Sequence, residues 1–342
     1  ATIDDPNKPG QKIPNPLYGK MQDGDDHGCL TVSLTGGTIE QNVYGGCMGS
    51  PANVLYGESK NVLVELNKDK IGTDRGCAVK GDIFGCNNVN GTPQGDVIVH
   101  VYATQNAAAT QIVNSGEVTT AKVKGNYDVN AVYGGGNLAV YNPVTPYDGT
   151  SGSKTQVIIE GCDLTSIETV YGGGNAAAVP ETNVTIKSAY EIGYLFGGGN
   201  GKDDIAPGVE NPGADVGTPD HGTSIYGTGN ANTLMEGGLI HEAYGGSNTK
   251  GIIKGSINQI TDPNDPSVDP GCCELVVEKI VGAGKYADID GDVNMTLSCQ
   301  PERKVNLLFA GADEANVNGN ITLNITNGHF GKVFGGNNLG GA

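Results

Sequence analysis

A short motif, an apolar residue followed by Tyr or Phe and then two or three Gly, recurs along the whole chain and constrains the fold more than any other feature. The aromatic residues at positions 171 and 196 are 25 residues apart, as are those at 309 and 334, and the other intervals are longer. We therefore expect a minimal repeat of about 25 residues that is lengthened in places by insertions. The copies that continue from Tyr or Phe through Gly to Asn are Val132–Asn137, Val170–Asn175, Leu195–Asn200, Ala243–Asn248 and Val333–Asn338.

The segment before each motif alternates between apolar and polar residues. In the first repeat Leu30, Val32 and Leu34 alternate with polar side chains, and Val97, Val99 and Val101 repeat the pattern. A period of two places the apolar residues on one face of a β-strand. Each repeat therefore predicts an alternating strand, a Gly-containing corner and a second short strand that ends at the aromatic residue.

Repeats of this kind cannot bury a core alone but can do so when they stack. Helical repeats are excluded because no segment keeps a helical apolar period and the Gly content, 56 of 342 residues, opposes helix formation. A propeller needs four strands in each repeat of roughly 40 residues, which is longer than the minimal repeat here. We predict an all-β fold, a parallel β-helix (β-solenoid) of about nine coils with loop insertions, comprising an N-terminal segment or cap (1–28) and a single β-helix domain (29–342).

The residue types that recur in the motif have a physical rationale within such a stack. We expect the Gly residues to adopt positive φ at tight corners and to lie where a neighbouring coil leaves no room for Cβ. Tyr and Phe interchange before the Gly, and Val281 replaces them once, which favours ring stacking over hydroxyl chemistry. The Asn residues that follow suit a ladder of side-chain amides between coils; they are Asn137, Asn175, Asn200, Asn248 and Asn337.

The alternating strand, Gly corner and Tyr-Gly-Gly-Gly-Asn unit resembles right-handed parallel β-helix proteins of the pectin-lyase-like kind. It is more closely similar to large Tyr-Gly-Gly-Gly-repeat surface proteins of gut bacteria, over roughly residues 29–338. The resemblance implies a right-handed helix. The enzymes of that kind would imply acidic catalytic pairs or a calcium-assisted Arg or Lys base, but the chain has neither a Gly-His-Gly nor an Arg-Ile-Lys motif, and Arg75 and Arg303 lie outside Asp-alternating strands.

Charge and composition exclude several classes of function. The formal net charge is −18, and clustered Lys and Arg, which nucleic acid and anionic membranes require, are absent. No run approaches the roughly 18 apolar residues of a membrane-spanning helix, so no membrane insertion is expected. The eight Cys contain no Cys-x-x-Cys pair, and we interpret them as small buried residues with room for one or two disulfides. The two termini suggest a trimmed start and a chain cut from something longer.

Acidic loops are the candidate metal sites, with calcium as the ion. Residues 198–205 fit a Gly-Gly-x-Gly-x-Asp calcium-binding pattern through Asp203 and Asp204, although as a single copy. Asp288, Asp290 and Asp292 place three carboxylates within five residues, without the later Glu of an EF-hand. The alternative for both segments is a solvated loop.

Candidate ligand-binding residues are one His and three Tyr. His100 alternates with Val99 and Val101, so it faces outward together with Ile98 and Tyr102. The chain has no Trp, so Tyr102, Tyr141 or Tyr147 would have to serve as stacking platforms for sugar rings. The long insertions, roughly 103–130, 201–224 and 261–271, are the other places where binding is expected.

The expected function is that of a non-enzymatic surface or adhesin-like module, monomeric, extracellular or at the cell surface, that presents loops to a glycan or host ligand. The alternatives are a polysaccharide-active lyase or hydrolase and a structural spacer within a larger surface protein. Several carboxylates that converge with a Lys, Arg or His would favour the enzyme.

Overall fold

The computed structural model describes residues 2–4, 12–14, 29–50, 59–68, 76–104, 109–114, 117–122, 124–142, 154–201, 213–217, 228–263, 273–299 and 304–341. These residues form strands and turns without a helix. In chain order the strands are β1 (Thr2–Asp4), β2 (Lys12–Pro14), β3 (Leu30–Leu34), β4 (Gly37–Ile39), β5 (Val43–Tyr44), β6 (Val62–Leu66), β7 (Cys77–Val79), β8 (Ile83–Phe84), β9 (Val97–Val101), β10 (Ala109–Asn114), β11 (Glu117–Lys122), β12 (Val129–Tyr133), β13 (Thr155–Ile159), β14 (Ser166–Tyr171), β15 (Thr182–Ile186), β16 (Glu191–Phe196), β17 (Ala231–Met235), β18 (Gly238–Tyr244), β19 (Ile257–Thr261), β20 (Leu275–Val281), β21 (Val293–Ser298), β22 (Lys304–Phe309), β23 (Ile321–Asn327) and β24 (His329–Phe334).

Two parallel sheets of nine strands each run the length of the stack. The first sheet contains β3, β6, β9, β13, β15, β17, β19, β21 and β23, and the second contains β5, β8, β12, β14, β16, β18, β20, β22 and β24. Each coil contributes one strand to each sheet, so we number the coils 1 to 9 in this order. The predicted all-β parallel β-helix of about nine coils is confirmed. The register pairs Tyr171 with Phe196 and Phe309 with Phe334, which confirms the 25-residue repeat.

The apolar core fills the space between the sheets. Alternate residues of the first sheet point inward, as predicted, and Val97, Val99 and Val101 are fully buried. A third side is made of single parallel bridges rather than strands, in which Val216 pairs with Val179 and with Ile253. On this side each coil hydrogen-bonds to its neighbours at one residue, and the buried aliphatic side chain of that residue closes the core.

The rings of the repeated motif form an aromatic ladder on the outside of the second sheet. Neighbouring rings lie 4.6–5.1 Å apart, centroid to centroid, with interplanar angles of 10° or less. This arrangement confirms the predicted stacking. The members are Tyr44, Phe84, Tyr133, Tyr171, Phe196 and Tyr244, followed after a gap by Phe309 and Phe334.

A corner asparagine ladder runs beside the rings. Each Nδ2 donates 2.9 Å to the Oδ1 of the preceding member, through Asn88, Asn137, Asn175, Asn200 and Asn248. The expectation that Asn337 belongs to this ladder was wrong by one residue. Phe334 pairs with Phe309, so Asn338 takes the equivalent position, while Asn337 accepts from the backbone N–H of Ala312.

The corner glycines differ in part from expectation. Gly172, Gly173 and Gly174 are not among the described residues with positive φ, so the predicted left-handed conformation was wrong for this corner. The predicted lack of space is confirmed, because a Cβ on Gly173 would lie 2.9 Å from the backbone nitrogen of Gly199 in the next coil. The close approach of stacked backbones therefore explains these glycines.

The described parts of the insertions add no coil to the stack. Residues 225–230, Ile-Tyr-Gly-Thr-Gly-Asn, are similar to the repeated motif. Phe196 pairs directly with Tyr244, so this segment belongs to an insertion; residues 225–227 lie outside the described residues. Part of the 103–130 insertion is an antiparallel hairpin of β10 and β11. The 201–224 segment is partly built into the coil, because Val216 forms bridges on the third side.

The last coil has no further strand beside it among the described residues. Ile321, Leu323 and Phe330 occupy core-type positions there but are only half-buried, and Phe334 is 43% exposed. A Cβ on Gly335 or Gly336 would meet no atom within 4 Å.

Candidate functional site

Both ladders stop at coil 7, where the motif departs from its pattern. Val281 stands in place of an aromatic ring, and Lys285 stands in place of the ladder Asn. The Nζ of Lys279 lies 5.3 Å from the ring centroid of Tyr244, the last ring before the gap. Its ammonium therefore interacts with the ring that would otherwise be stacked against an aromatic side chain of coil 7.

Lys279 is held there by two carboxylates from neighbouring coils. Its Nζ lies 3.2 Å from Glu242 Oε2 and 2.9 Å from Asp313 Oδ2, and the Tyr244 hydroxyl lies 2.6 Å from the same Glu242 oxygen. Burial acts to raise the pKa of Asp313, but hydrogen bonds from Asn338 and Lys279 outweigh it and lower the pKa. Burial acts to lower the pKa of Lys279, but Asp313 and Glu242 raise it overall. The cluster is thus a closed set of ion pairs.

A second charged cluster lies on the same sheet. Its residues His241 and Glu278 directly precede Glu242 and Lys279 in strands β18 and β20. His241 Nε2 lies 2.7 Å from Glu191 Oε1, and His241 Nδ1 lies 2.8 Å from Glu278 Oε2. Glu191 is fully buried and also accepts the backbone N–H of Gly125 at 2.9 and 3.0 Å. Burial alone would lower the pKa of His241, but the hydrogen bonds to Glu191 and Glu278 raise it. The imidazole therefore favours the protonated form that donates from both nitrogens.

Tyr127 leans over this cluster from the segment that follows the hairpin. The position of a Cβ on Gly193 would be 2.9 Å from the Tyr127 hydroxyl, so the glycine makes room for the phenol ring. Burial, together with the charges of Glu191 and Glu168, raises the pKa of Tyr127 to about 12. Its hydroxyl stays protonated at neutral pH and can serve as a hydrogen-bond donor.

Two exposed tyrosine rings flank an ammonium at this surface. Tyr194 is 36% exposed and Tyr286 is 48% exposed. The Nζ of Lys285 lies 5.3 Å from the Tyr194 centroid and 5.5 Å from the Tyr286 centroid. We call the region formed by Tyr194, His241, Glu278, Lys279, Lys285 and Tyr286 the coil 7 surface. It offers two aromatic faces next to fixed donors and acceptors, which is suited to a ligand with an apolar ring face and several hydroxyls.

The predicted residues His100 and Tyr102 lie together on the outside of the first sheet. Their rings stack at 3.8 Å, His100 Nε2 lies 3.0 Å from Glu160 Oε1, and the Tyr102 hydroxyl lies 3.3 Å from Glu65 Oε1. Burial lowers the pKa of His100 despite the nearby Glu160. The outward orientation of His100 is as expected, and the residues form a compact charged group whose ligand binding stays a prediction.

The expectation for Tyr141 was wrong, because its side chain is fully buried and its hydroxyl donates to the carbonyl of Gly95. A buried ring bonded in this way cannot be a surface platform for a sugar. Tyr147, Asp203 and Asp204 lie outside the described residues.

The candidate calcium ligands Asp288, Asp290 and Asp292 accept hydrogen bonds from the next coil. Asp288 Oδ1 accepts from the backbone N–H of Asn316 at 2.8 Å, and Asp290 Oδ1 accepts from Asn318 Nδ2 at 3.0 Å. Asp292 Oδ1 accepts from the Asn320 N–H at 2.7 Å. Within the described part of the chain no three His, Cys, Asp or Glu side chains are grouped as metal ligands. The three Asp are therefore better explained by coil-to-coil bonds, and a calcium role for them stays a prediction.

No family model, curated protein or solved structure matches this chain. Among the residues that the structure describes, no helix is long and apolar enough to cross a membrane. The coil 7 surface was missed from the sequence, although one signal was visible there. The copy Ile280-Val281-Gly282 loses its aromatic residue in the same coil that places Lys285 where coils 2 to 6 have Asn.

Proposed function

We propose that this chain is a non-enzymatic, glycan-binding module that acts outside the cell or at its surface. The observation that carries the proposal is the pair of exposed rings, Tyr194 on strand β16 and Tyr286 in the corner that follows β20, beside hydrogen-bonding groups that are already fixed in place. Preorganised rings and donors lower the entropic cost of binding a flexible sugar. The resemblance to Tyr-Gly-Gly-Gly-repeat surface proteins is consistent with this role.

The disulfide between Cys162 and Cys273 supports the proposed location. Disulfides form and persist in oxidising compartments, whereas cytosolic thiols are kept reduced. Within the described residues, Cys29, Cys47, Cys77, Cys86 and Cys299 are free thiols, and Cys77, Cys86 and Cys299 are buried.

The test is a glycan array probed with the purified chain, with and without calcium, followed by titration of each hit. We expect Tyr194→Ala combined with Tyr286→Ala to weaken binding at least tenfold, since the packing of a ligand ring on an aromatic side chain contributes on the order of 1 kcal/mol. Tyr102→Ala is the matched control at the predicted first-sheet site. Loss of binding in Tyr102→Ala alone would move the site to the His100 cluster, and binding to no glycan at all would favour the spacer alternative.

The enzymatic alternative rests on the Glu191–His241–Glu278 cluster. It has the carboxylates and His that general acid–base chemistry needs, but both imidazole nitrogens are already bonded to carboxylates. Incubation with polygalacturonate and with neutral glycans, in calcium, should therefore give neither new reducing ends nor unsaturated products. Turnover that Glu278→Gln abolishes would establish the enzyme in place of the binding module.

A further inference from the structure

The outer face of the first sheet is uncharged over coils 4 to 9. The five residues that pair in register in each of β13, β15, β17, β19, β21 and β23 include two outward side chains, and none of these twelve is Asp, Glu, Lys, Arg or His. We call this face the uncharged strip; its residues are Gln156, Ile158, Asn183, Thr185, Asn232, Leu234, Asn258, Ile260, Asn294, Thr296, Thr322 and Asn324.

The absence of charge here is unusual for this protein. The chain has a formal net charge of −18 from 58 charged residues, and a solvated surface ordinarily carries charge on roughly a quarter or more of its side chains. Ionisable side chains occur on the same face in the two coils before the strip, with Glu65 in coil 2 and His100 in coil 3. Charged residues also border the strip, since Glu181 directly precedes β15 and Glu236 directly follows β17. An uncharged centre with a charged border is the composition of a contact surface.

The strip also carries a second amide ladder. Asn232 Nδ2 donates to Asn183 Oδ1 at 2.9 Å, Asn258 Nδ2 donates to Asn232 Oδ1 at 2.8 Å, and Asn294 Nδ2 donates to Asn258 Oδ1 at 3.2 Å. A primary amide has two N–H donors and two acceptor lone pairs, and one ladder contact on each side uses one of each. The ladder therefore holds the amides at fixed positions, about 4.8 Å apart along the stack. The second N–H of Asn232 donates to the Thr182 carbonyl and to Glu181, so the capacity for a partner lies at Asn258 and Asn294.

The size of the strip decides between partners. Six coils span about 24 Å along the stack and five residues span about 16 Å across it, so the face offers roughly 400 Å². A stable protein partner, including a second copy of this chain, needs about 800 Å² on each side. The strip also has no aromatic or Arg side chain, the residues that anchor protein interfaces. A narrow, extended and uncharged ligand fits these dimensions better.

We propose that the uncharged strip binds a neutral, unbranched polysaccharide that lies along the coil axis. Its hydroxyls would pair with the Asn amides, and its apolar ring edges would contact Leu234 and Ile260, the latter 41% exposed. Acidic polysaccharides are disfavoured by the charge of the chain and find no cation on the strip. The inference rests on the proposed glycan binding, but it assigns the ligand class and a surface separate from the coil 7 surface.

The experiment is co-sedimentation of the full chain with fibres of an unsubstituted linear β-glucan, with soluble polygalacturonate in a parallel titration. Ile260→Lys and Thr296→Lys each place a charge on the strip without touching the core or the Asn ladder. Ser33→Lys is the matched control, because Ser33 occupies the same row in coil 1, outside the strip. Melting temperatures of all variants check that each is folded.

We expect the wild-type chain to bind the β-glucan, the two strip variants to bind at least about tenfold more weakly, and Ser33→Lys to bind as the wild type does. Unchanged binding in folded strip variants would overturn the inference. Loss of β-glucan binding only in the tyrosine variant would also overturn it, while leaving the proposed glycan function intact. A concentration-dependent dimer that Thr296→Lys dissociates would overturn the inference and identify a second copy of the chain as the partner. Binding to no glycan at all would contradict the proposed function as well.

Discussion

Coils 3 to 6 and coil 7 use the same backbone for different purposes. In coils 3 to 6, Tyr133, Tyr171, Phe196 and Tyr244 stack without interruption, and an Asn amide of each coil bonds to the coil before it. In coil 7 the ring becomes Val281, and ionic groups from three coils fill its surroundings. A local rule that holds in neighbouring repeats and fails in one is a place to look for function, because repeats ordinarily keep whatever stacking requires.

The physical difference between these coils is whether their outward side chains are already paired with one another. A ladder of rings and amides satisfies itself, since every ring faces another ring and every amide has a partner in an adjacent coil. When the ladder breaks, side chains such as Lys285 must find other partners, and the rings of Tyr194 and Tyr286 stay accessible beside it. In the regular coils the ladder side chains therefore bond to one another, whereas the irregular coil leaves an ammonium and two rings at the surface.

Removal of the disulfide that connects the two regions should have the largest effect. Cys162 lies in the corner of coil 4 and Cys273 in the corner of coil 7, 111 residues apart. We expect Cys162→Ala combined with Cys273→Ala to lower the free energy of unfolding by about 2–4 kcal/mol, measured by urea denaturation followed by circular dichroism. Reductant should destabilise the wild type and leave the double variant unchanged. Equal denaturation midpoints for the oxidised wild type and the double variant would contradict the pairing.

Crowding a regular corner should have the next largest effect. Gly173→Val would bring Cβ to 2.9 Å from the backbone nitrogen of Gly199, and backbone atoms cannot move aside as a side-chain tip can. We expect a loss of about 1–3 kcal/mol in thermal or urea denaturation. Gly336→Val is the matched control at the same motif position of coil 9, where nothing lies within 4 Å. The close-packing explanation fails if both variants melt like the wild type.

Repairing the ladder in coil 7 sharpens the comparison directly. Val281→Phe should lower stability by about 1 kcal/mol, because the new ring competes with Lys279 for the face of Tyr244. Lys279→Thr, which copies Thr169 of coil 4, should be destabilising by itself because it removes the ammonium that pairs with the buried Asp313. The double variant should lose less than the sum of the two single losses, because the new ring can then stack on Tyr244. Urea denaturation of the two single variants and the double variant gives the coupling energy. Additive losses would show that Lys279 does not occupy the gap in the ladder.

The pH dependence of the two histidines should give the smallest effect, with opposite signs. The raised pKa of His241 implies a stabilising contribution that is present below its usual value of about 6.5 and is lost as pH rises through the folded-state pKa. His100, whose pKa is lowered, contributes stability above that value and loses it as pH falls.

Denaturation midpoints of His241→Gln and His100→Gln, measured from about pH 5 to pH 9, test these signs against the wild type. The difference between wild type and His241→Gln should shrink as pH rises. The difference between wild type and His100→Gln should shrink as pH falls. A pH-independent difference for His241→Gln would mean that its bonds to Glu191 and Glu278 do not stabilise the charged form.

Much of the fold could be predicted from local patterns. The inward orientation of Val97, Val99 and Val101 follows from alternation within one strand. The pairing of Tyr171 with Phe196 follows from the 25-residue interval between consecutive coils. The candidate sites fared less well. Tyr141 looked available as a loop tyrosine, yet its ring is inside, because the sequence beyond Asn137 has no alternation that reports which way a side chain points.

The sequence by itself determined the repeating unit of this protein: the strand, the glycine corner, the ring and the amide that follow one another in each coil. It did so because those features obey short-range rules of backbone geometry and side-chain period. Only the tertiary structure decided which coils meet at which residues, since insertions of different length separate the repeats. Lys279 meets Asp313 from 34 residues away and Glu242 from 37, and His241 meets Glu191 from 50. Contacts at such distances depend on the stacking register, which is fixed only when the coils close around a common core.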